Sequence, residues 1–350
     1  MKVLIVKLGS IGDIVHTLPA LAALRAGLPN AEISWVAETS CSEILKDNPV
    51  LDRLIEVDTK ALRRGLMSGE TLRAPRQQLR RLRASAFDVA LDFQGLIKSA
   101  SIARLSGARR VFGYSRPALR EPASSIFLSK RISIPQQTHV IRKGLLLLEG
   151  ALGVPVPREL AFPIGVTPAA EAEAECAAQG SGGNLAILNP GGGWPTKLWS
   201  AEKFGGLADL LWANYGIRSL VTYGPGELEL AETVRRSSKS EKAVPVSLSL
   251  KGFYSLAKRA RVYVGGDTGP THIAVAAAAP IVGLFGPTEW WRNGSPYAED
   301  ICVERNDIDC RVDCHRRSCS KWICMDIDVE RVFEAVTRRL DLGEARVSHG

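Results

Sequence analysis

The sequence predicts an α/β protein of two Rossmann-like, doubly wound domains, and three observations carry that expectation. Short apolar strands alternate with helical stretches, glycine-rich turns follow several strands, and a proline-rich break divides the chain near its middle. At 350 residues the chain has the length of two ordinary domains. With 45% hydrophobic and 23% charged residues it can form cores, which excludes a mostly disordered or collagenous chain.

The elements follow in order. Lys2 to Val6 (KVLIV) is a short apolar strand, ended by the turn Gly9-Ser10-Ile11-Gly12, and a helical pattern runs from about Asp13 to Arg25. Further strands are expected at 32–37, 54–57 and 88–92, and near-continuous apolar strands of this kind belong to a parallel sheet covered on both faces. Residues 151–168 hold Pro155, Pro157, Pro163 and Pro168 without any periodic pattern, which reads as a linker. A second series places strands at 185–188, 218–222, 262–264 and 281–285. It closes with an amphipathic helix over 328–340, capped by Asp328. The expected domains are 1–165, 166–325 and a C-terminal helix and tail over 326–350. A cleft is expected between the first two, with ligands beyond the carboxyl ends of the strands.

The apolar start stops at Lys7, before a signal-peptide core could form, and no stretch approaches the roughly 20 apolar residues of a bilayer span. Seven cysteines, an odd number, fit poorly with a secreted disulfide framework, so a cytoplasmic protein is expected. The formal net charge is +8, but residues 1–165 carry 24 basic against 14 acidic side chains and the remainder 21 against 23. The densest basic run spans Lys60, Arg63, Arg64, Arg73, Arg76, Arg80, Arg81 and Arg83, with Glu70 as its one acid. Such a run is either a solvated helix face or a surface for a polyanion. Aromatic residues do not interleave with it, which disfavours nucleic acid as the partner.

Four strand-end loops can carry chemistry. Asp13, at the start of the first helix, is either a capping carboxylate or a general base. The stretch Gly266-Asp267-Thr268-Gly269-Pro270-Thr271-His272 brings small and polar groups to a helix start, where backbone N–H groups favour phosphate. Asn189-Pro190-Gly191-Gly192-Gly193-Trp194-Pro195-Thr196-Lys197 is a glycine-rich loop followed by one lysine, suited to a diphosphate. Glu227, after Tyr223-Gly224-Pro225-Gly226, can accept hydrogen bonds from a ribose or sugar. The N-terminal loop matches neither a dinucleotide nor a Walker fingerprint; the three loops of the second series together point to a nucleotide diphosphate held without a Walker motif.

The start KLGSIGDIVHTLPAL, QGLIKS at Gln94 to Ser99, GDTGPTH at 266–272 and FGPTE at 285–289 resemble the bacterial lipopolysaccharide heptosyltransferases, over almost the whole chain. The segment Leu119-Arg120-Glu121-Pro122-Ala123-Ser124-Ser125, with His139 downstream, is most similar to the heptosyltransferase I branch. The resemblance implies a glycosyltransferase-B architecture and transfer of heptose from ADP-heptose, with inversion, onto Kdo of lipid A at the cytoplasmic face of the inner membrane. It implies Asp13 as catalytic base and Lys197 as partner of the leaving diphosphate, with no cofactor and no metal required. Gly191, Gly192, Thr196, Lys197, Glu227, Asp267, Thr268, Gly269, Thr271 and His272 would bind the donor. On the acceptor side, Lys60, Arg63, Arg64, Lys98, Arg120 and His139 would hold Kdo carboxylates and lipid A phosphates, with peripheral contact to the anionic membrane.

One segment departs from that branch. Cys310, Cys314, Cys319 and Cys324 follow a C-x3-C-x4-C-x4-C pattern that looks more like heptosyltransferase II or its relatives. The pattern lacks the C-x2-C pairs usual at zinc sites, so reduced thiols are expected and a metal is the lesser reading. The alternatives to heptosyltransferase I are therefore heptosyltransferase II or a related nucleotide-sugar transferase. From a different class comes a non-catalytic binding protein, should Asp13 be only a cap.

Overall fold

The computed structural model describes residues 1–59, 80, 82–310 and 314–347. It divides into two compact units, Met1–Gly165 and Val166–Gly350. Six strands make the first sheet: β1 (Lys2–Val6), β2 (Glu32–Glu38), β3 (Arg53–Val57), β4 (Val89–Asp92), β5 (Arg110–Tyr114) and β6 (Lys130–Ile132). Their order is β3-β2-β1-β4-β5-β6, and all neighbours are parallel. Val3 to Val6 and Val89 to Leu91 are inaccessible to solvent. That burial explains why these strands read as unbroken apolar runs and not as alternating ones.

The second unit repeats the plan with β7 (Leu185–Asn189), β8 (Arg218–Thr222), β9 (Ala243–Val246), β10 (Val262–Gly266), β11 (Ile281–Phe285) and β12 (Ile301–Glu304), ordered β12-β11-β10-β7-β8-β9. The helix Val329–Val347 begins just after Asp328, and its Val332, Ala335, Val336 and Leu340 lie in the second unit's core with Phe204, Leu207 and Leu211. The terminal segment set apart in the sequence thus packs as part of that unit.

In each sheet the chain winds outward from one central strand, then returns and winds the other way. The reversal falls between β1 and β4 in the first sheet and between β7 and β10 in the second. Loops leaving adjacent strands there diverge to opposite faces and open a crevice at the carboxyl edge, the usual ligand position in such sheets. The four loops at these two points are 7–10, 93–96, 190–197 and 267–269.

The first helical stretch differs from the expected 13–25 helix. Ile11–Val15 and Leu18–Gly27 are separate helices, with Pro19 in the first turn of the second, where a missing N–H costs nothing. The cap of the first is Ser10, so Asp13 is the third helical residue and not the cap. The helix expected near 273–279 is Gly269–Ala276, started early by Pro270.

Candidate active site

In the first unit, Ser10 and Asp13 form a capping box. The Ser10 N–H donates to Asp13 Oδ2 at 3.0 Å, and Asp13 Oδ1 faces Lys7 Nζ at 3.2 Å. Lys7, mostly buried, also donates to the Phe93 carbonyl at 3.2 Å. Burial pushes the Asp13 carboxyl upward, but the Lys7 charge, the Ser10 N–H and the Arg120 charge outweigh it and hold the carboxyl below its usual range. Asp13 is therefore ionised at neutral pH, with a third of its side chain still open to solvent. A partly exposed carboxylate fixed on both sides can accept a proton, which a cap alone would not need.

Gln94 secures this loop. Its Oε1 accepts the Leu8 N–H at 3.0 Å and its Nε2 donates to the Gly9 carbonyl at 2.7 Å, tying the loop after β1 to the loop after β4.

The expected acceptor residues separate into three groups. Arg120 is exposed and its charge reaches Asp13. His139 caps the helix Val140–Leu152, its Nδ1 accepting the Ile141 N–H at 3.3 Å, and its ring meets His16 edge-on at 6.2 Å. His16 ends the Asp13 helix, so His139 stands on the same side of the sheet. It also lines an open groove of about 540 Å³ with Arg142, Gln136 and Thr138. Lys98 is tied elsewhere: its ammonium donates to Glu38 at 2.8 Å and to Thr59 at 2.9 Å. Lys60, Arg63 and Arg64 lie outside the described residues.

In the second unit the loops after β7 and β10 meet. Lys197 Nζ donates to Asp267 Oδ2 at 2.6 Å and to the Asp267 carbonyl at 3.1 Å, and it lies 4.4 Å from the Trp194 ring centroid. Asp267 Oδ1 pairs with His272 Nε2 at 3.2 Å, and Asn293 Nδ2 approaches Oδ2 at 3.4 Å. Burial alone would raise the Asp267 carboxyl, yet His272 and Lys197 hold it far below the usual range. The result is a fixed anion that positions a cation beside the start of the helix Gly269–Ala276.

Glu227 joins the other two loops: its Oε1 accepts the Gly192 N–H at 3.0 Å and its Oε2 the Gly224 N–H at 2.9 Å. A Cβ on Gly191 would overlap the Glu227 carboxylate, so a larger residue there would push that side chain out of its place between the loops. Gly192 likewise sits against Thr268. Thr268 caps the helix, and its hydroxyl and that of Thr271 approach each other at 3.3 Å. Thr271 is buried, bonded to the Gly266 carbonyl and, at 2.9 Å, to the Tyr263 hydroxyl, so it braces the turn.

Thr196 faces away from this group. Its hydroxyl donates to the Arg316 carbonyl at 2.6 Å, and its carbonyl accepts the Trp322 indole N–H at 3.1 Å. It lines a small apolar cavity with Cys310, Cys314, Cys319 and Cys324. The four thiols share that cavity without forming a ligand set: among the described residues no three His, Cys, Asp or Glu side chains are placed to hold a metal ion.

Lys7, Asp92, Gln94, Asn189 and Asn293 were not singled out from the sequence. Lys7 and Gln94 stand inside motifs quoted above, and their signal is position: each lies within two residues of the end of a buried parallel strand.

Residues 76–323 match glycosyltransferase family 9 (heptosyltransferase). The chain belongs to that family. It is 30% identical to lipopolysaccharide heptosyltransferase 1 of Pseudomonas aeruginosa over 91% of this chain and 88% of the relative. Among solved structures, Escherichia coli heptosyltransferase WaaC with ADP is similar at a TM-score of 0.78 and 25% identity, covering 97% of this chain and all of that one. The same E. coli enzyme with ADP-2-deoxy-2-fluoro heptose is similar at 0.74 and 25% identity, covering 98% and 100%. This family 9 glycosyltransferase has the two-sheet architecture expected of its type B enzymes. Among the described residues no helix is long and apolar enough to cross a membrane.

Proposed function

We propose that this family 9 enzyme transfers L-glycero-D-manno-heptose from ADP-heptose to a Kdo hydroxyl of lipid A, inverting the anomeric centre, in lipopolysaccharide inner-core synthesis. The observation that carries the reading is chemical specialisation at the two reversal points. The first unit holds an ionised, partly open carboxylate there, Asp13, and the second holds a cation fixed beside a helix start, Lys197.

Asp13 takes the proton from the acceptor hydroxyl as that oxygen attacks the anomeric carbon. The bond from that carbon to the phosphate oxygen breaks, and ADP departs with the electron pair. A diphosphate leaves as an anion, so no second carboxylic acid is needed, unlike in glycosidases. Lys197 and the N–H groups of Gly269 and Thr271 offset the charge that develops on it, without a metal ion or other cofactor. Glu227 and Asp267 orient ribose and heptose hydroxyls. Arg120 and His139, with Lys60, Arg63 and Arg64, hold acceptor carboxylates and phosphates, and the basic first half draws the enzyme to an anionic membrane surface at the cytoplasmic side.

Incubation with ADP-heptose and Kdo2-lipid A, followed by mass spectrometry of the lipid, tests this. Addition of one heptose is expected. Modification only of an acceptor that already carries heptose would support the heptosyltransferase II reading, and donor binding without transfer to any acceptor would leave a binding protein.

A further inference from the structure

Asp92 closes β4 and is completely buried. Its Oδ1 accepts the N–H groups of Gln94 and Gly95, at 3.0 and 3.2 Å. Its Oδ2 is buried with no hydrogen-bond partner among the described residues. The nearby Ser99 hydroxyl donates instead to the Leu96 carbonyl at 3.0 Å. Leaving a carboxylate oxygen dry and undonated is costly, and amide or hydroxyl replacements would pack there at lower cost.

The register shows what Asp92 is beside. Val6 pairs with Asp92 across β1 and β4, so Lys7 follows immediately at the same sheet edge. The Lys7 ammonium bonds Asp13 and the Phe93 carbonyl, and its charge acts on both Asp13 and Asp92. From β5, Tyr114 is buried beside the same two carboxylates; burial first, then their charges, push its hydroxyl far upward, so it stays protonated. The groups facing Asp92 are thus Lys7 just after β1, Tyr114 from β5, Ser99 from the helix Ile97–Leu105 and the backbone of Gln94 and Gly95, with Asp13 reached through Lys7.

We propose that Asp92 is a positioning residue that shares the Lys7 ammonium with Asp13 and so sets how strong a base Asp13 is. This rests on the reading of Asp13 as the catalytic base. When Asp92 is charged, Lys7 divides its attraction between two carboxylates, and Asp13 holds a captured proton more firmly. When Asp92 is neutral, Lys7 pairs with Asp13 alone and weakens it as a base. Burial pushes Asp92 up to about 6, against the pull of the two N–H groups and Lys7, so the change falls within the range of an ordinary assay.

The test is kcat between pH 5 and 8 for the full chain, at saturating ADP-heptose and Kdo2-lipid A, with wild type, Asp92→Asn and Asp13→Asn followed by ADP release. Asp92→Asn should match wild type at pH 5 and fall about three- to tenfold below it above pH 7, the ratio rising with a midpoint near 6 and KM for ADP-heptose unchanged. A ratio that stays constant across pH would reduce Asp92 to a structural role and overturn the proposal. Should Asp92→Asn fail to fold, carboxyl-carbon NMR of the wild-type protein decides: titration of Asp92 near pH 6 supports the proposal, and titration below 4.5 overturns it. An Asp13→Asn enzyme retaining more than a tenth of wild-type turnover removes the base reading itself. An inactive Asp13→Asn beside a flat Asp92 ratio removes only this proposal.

Discussion

Lys197 and Asp267 are joined by a 2.6 Å ion pair across the reversal point of the second sheet, with 13% and 6% of their side chains exposed. A pair this buried is more costly to break than to lack, because a single remaining charge is left without solvation. Asp267→Asn should therefore lower unfolding free energy by about 3 kcal/mol, measured by urea denaturation. The Asp267 carboxyl is depressed in the folded state, so its contribution is complete above the unfolded value of 3.8 and fades only as pH falls through the folded value. The gap between wild type and variant should hence not narrow as pH falls from 8 to 5. A gap that closes over that range would mean that Asp267 titrates there.

Lys197→Ala removes the cation while Asp267 keeps His272 as a partner. A charge partner for the diphosphate acts in the bound state and more strongly as the bond breaks. ADP-heptose KM should rise and kcat should fall by about 10²–10³. Unchanged steady-state kinetics would exclude Lys197 from the donor site.

Gly191→Ala is predicted to weaken the donor without unfolding the protein. The added methyl displaces the Glu227 carboxylate, a flexible side-chain end, from the N–H groups of Gly192 and Gly224. Loss of one such positioned contact corresponds to about a tenfold rise in ADP-heptose Kd, at about 1.4 kcal/mol per decade. Calorimetric titration measures it, and an unaltered Kd would show that Glu227 is only a loop brace.

Much of this was legible before the structure because loop chemistry at strand ends is local. Asp13, Lys197, Glu227 and Asp267 each follow a strand within a short loop, and motif reading finds them without tertiary information. Lys7 and Asp92 were missed because what pairs them is sheet order: β1 and β4 are neighbours although 86 residues separate Lys7 from Phe93. Asp92 ends an apolar run, and a carboxylate in that position on a buried parallel strand was a usable signal. Thr196 shows the opposite failure. It sits beside Lys197, but the short helical turn Pro195–Lys197 sends its hydroxyl to Arg316, a direction no spacing rule supplies.

Asp92 also predicts a pH dependence of stability. Its folded value, about 6, lies above the unfolded 3.8, so the folded state binds the proton more tightly and wild-type stability should fall as pH rises from 4 to 6. Asp92→Asn carries no titrating group there. The difference in unfolding free energy should move in the variant's favour by about 2–3 kcal/mol between pH 4 and 7, then level off. A difference independent of pH would contradict a buried, upward-shifted Asp92.

The central claim is that proton abstraction and donor binding belong to different units, with Asp13 acting on the acceptor alone. Asp13→Ala separates the two most directly: one preparation is assayed for ADP-heptose affinity by calorimetry and for heptose transfer to Kdo2-lipid A by mass spectrometry. The account predicts donor affinity within a few-fold of wild type and transfer reduced by about 10²–10⁴. Transfer above a tenth of the wild-type rate, or donor affinity lost in step with activity, would contradict it.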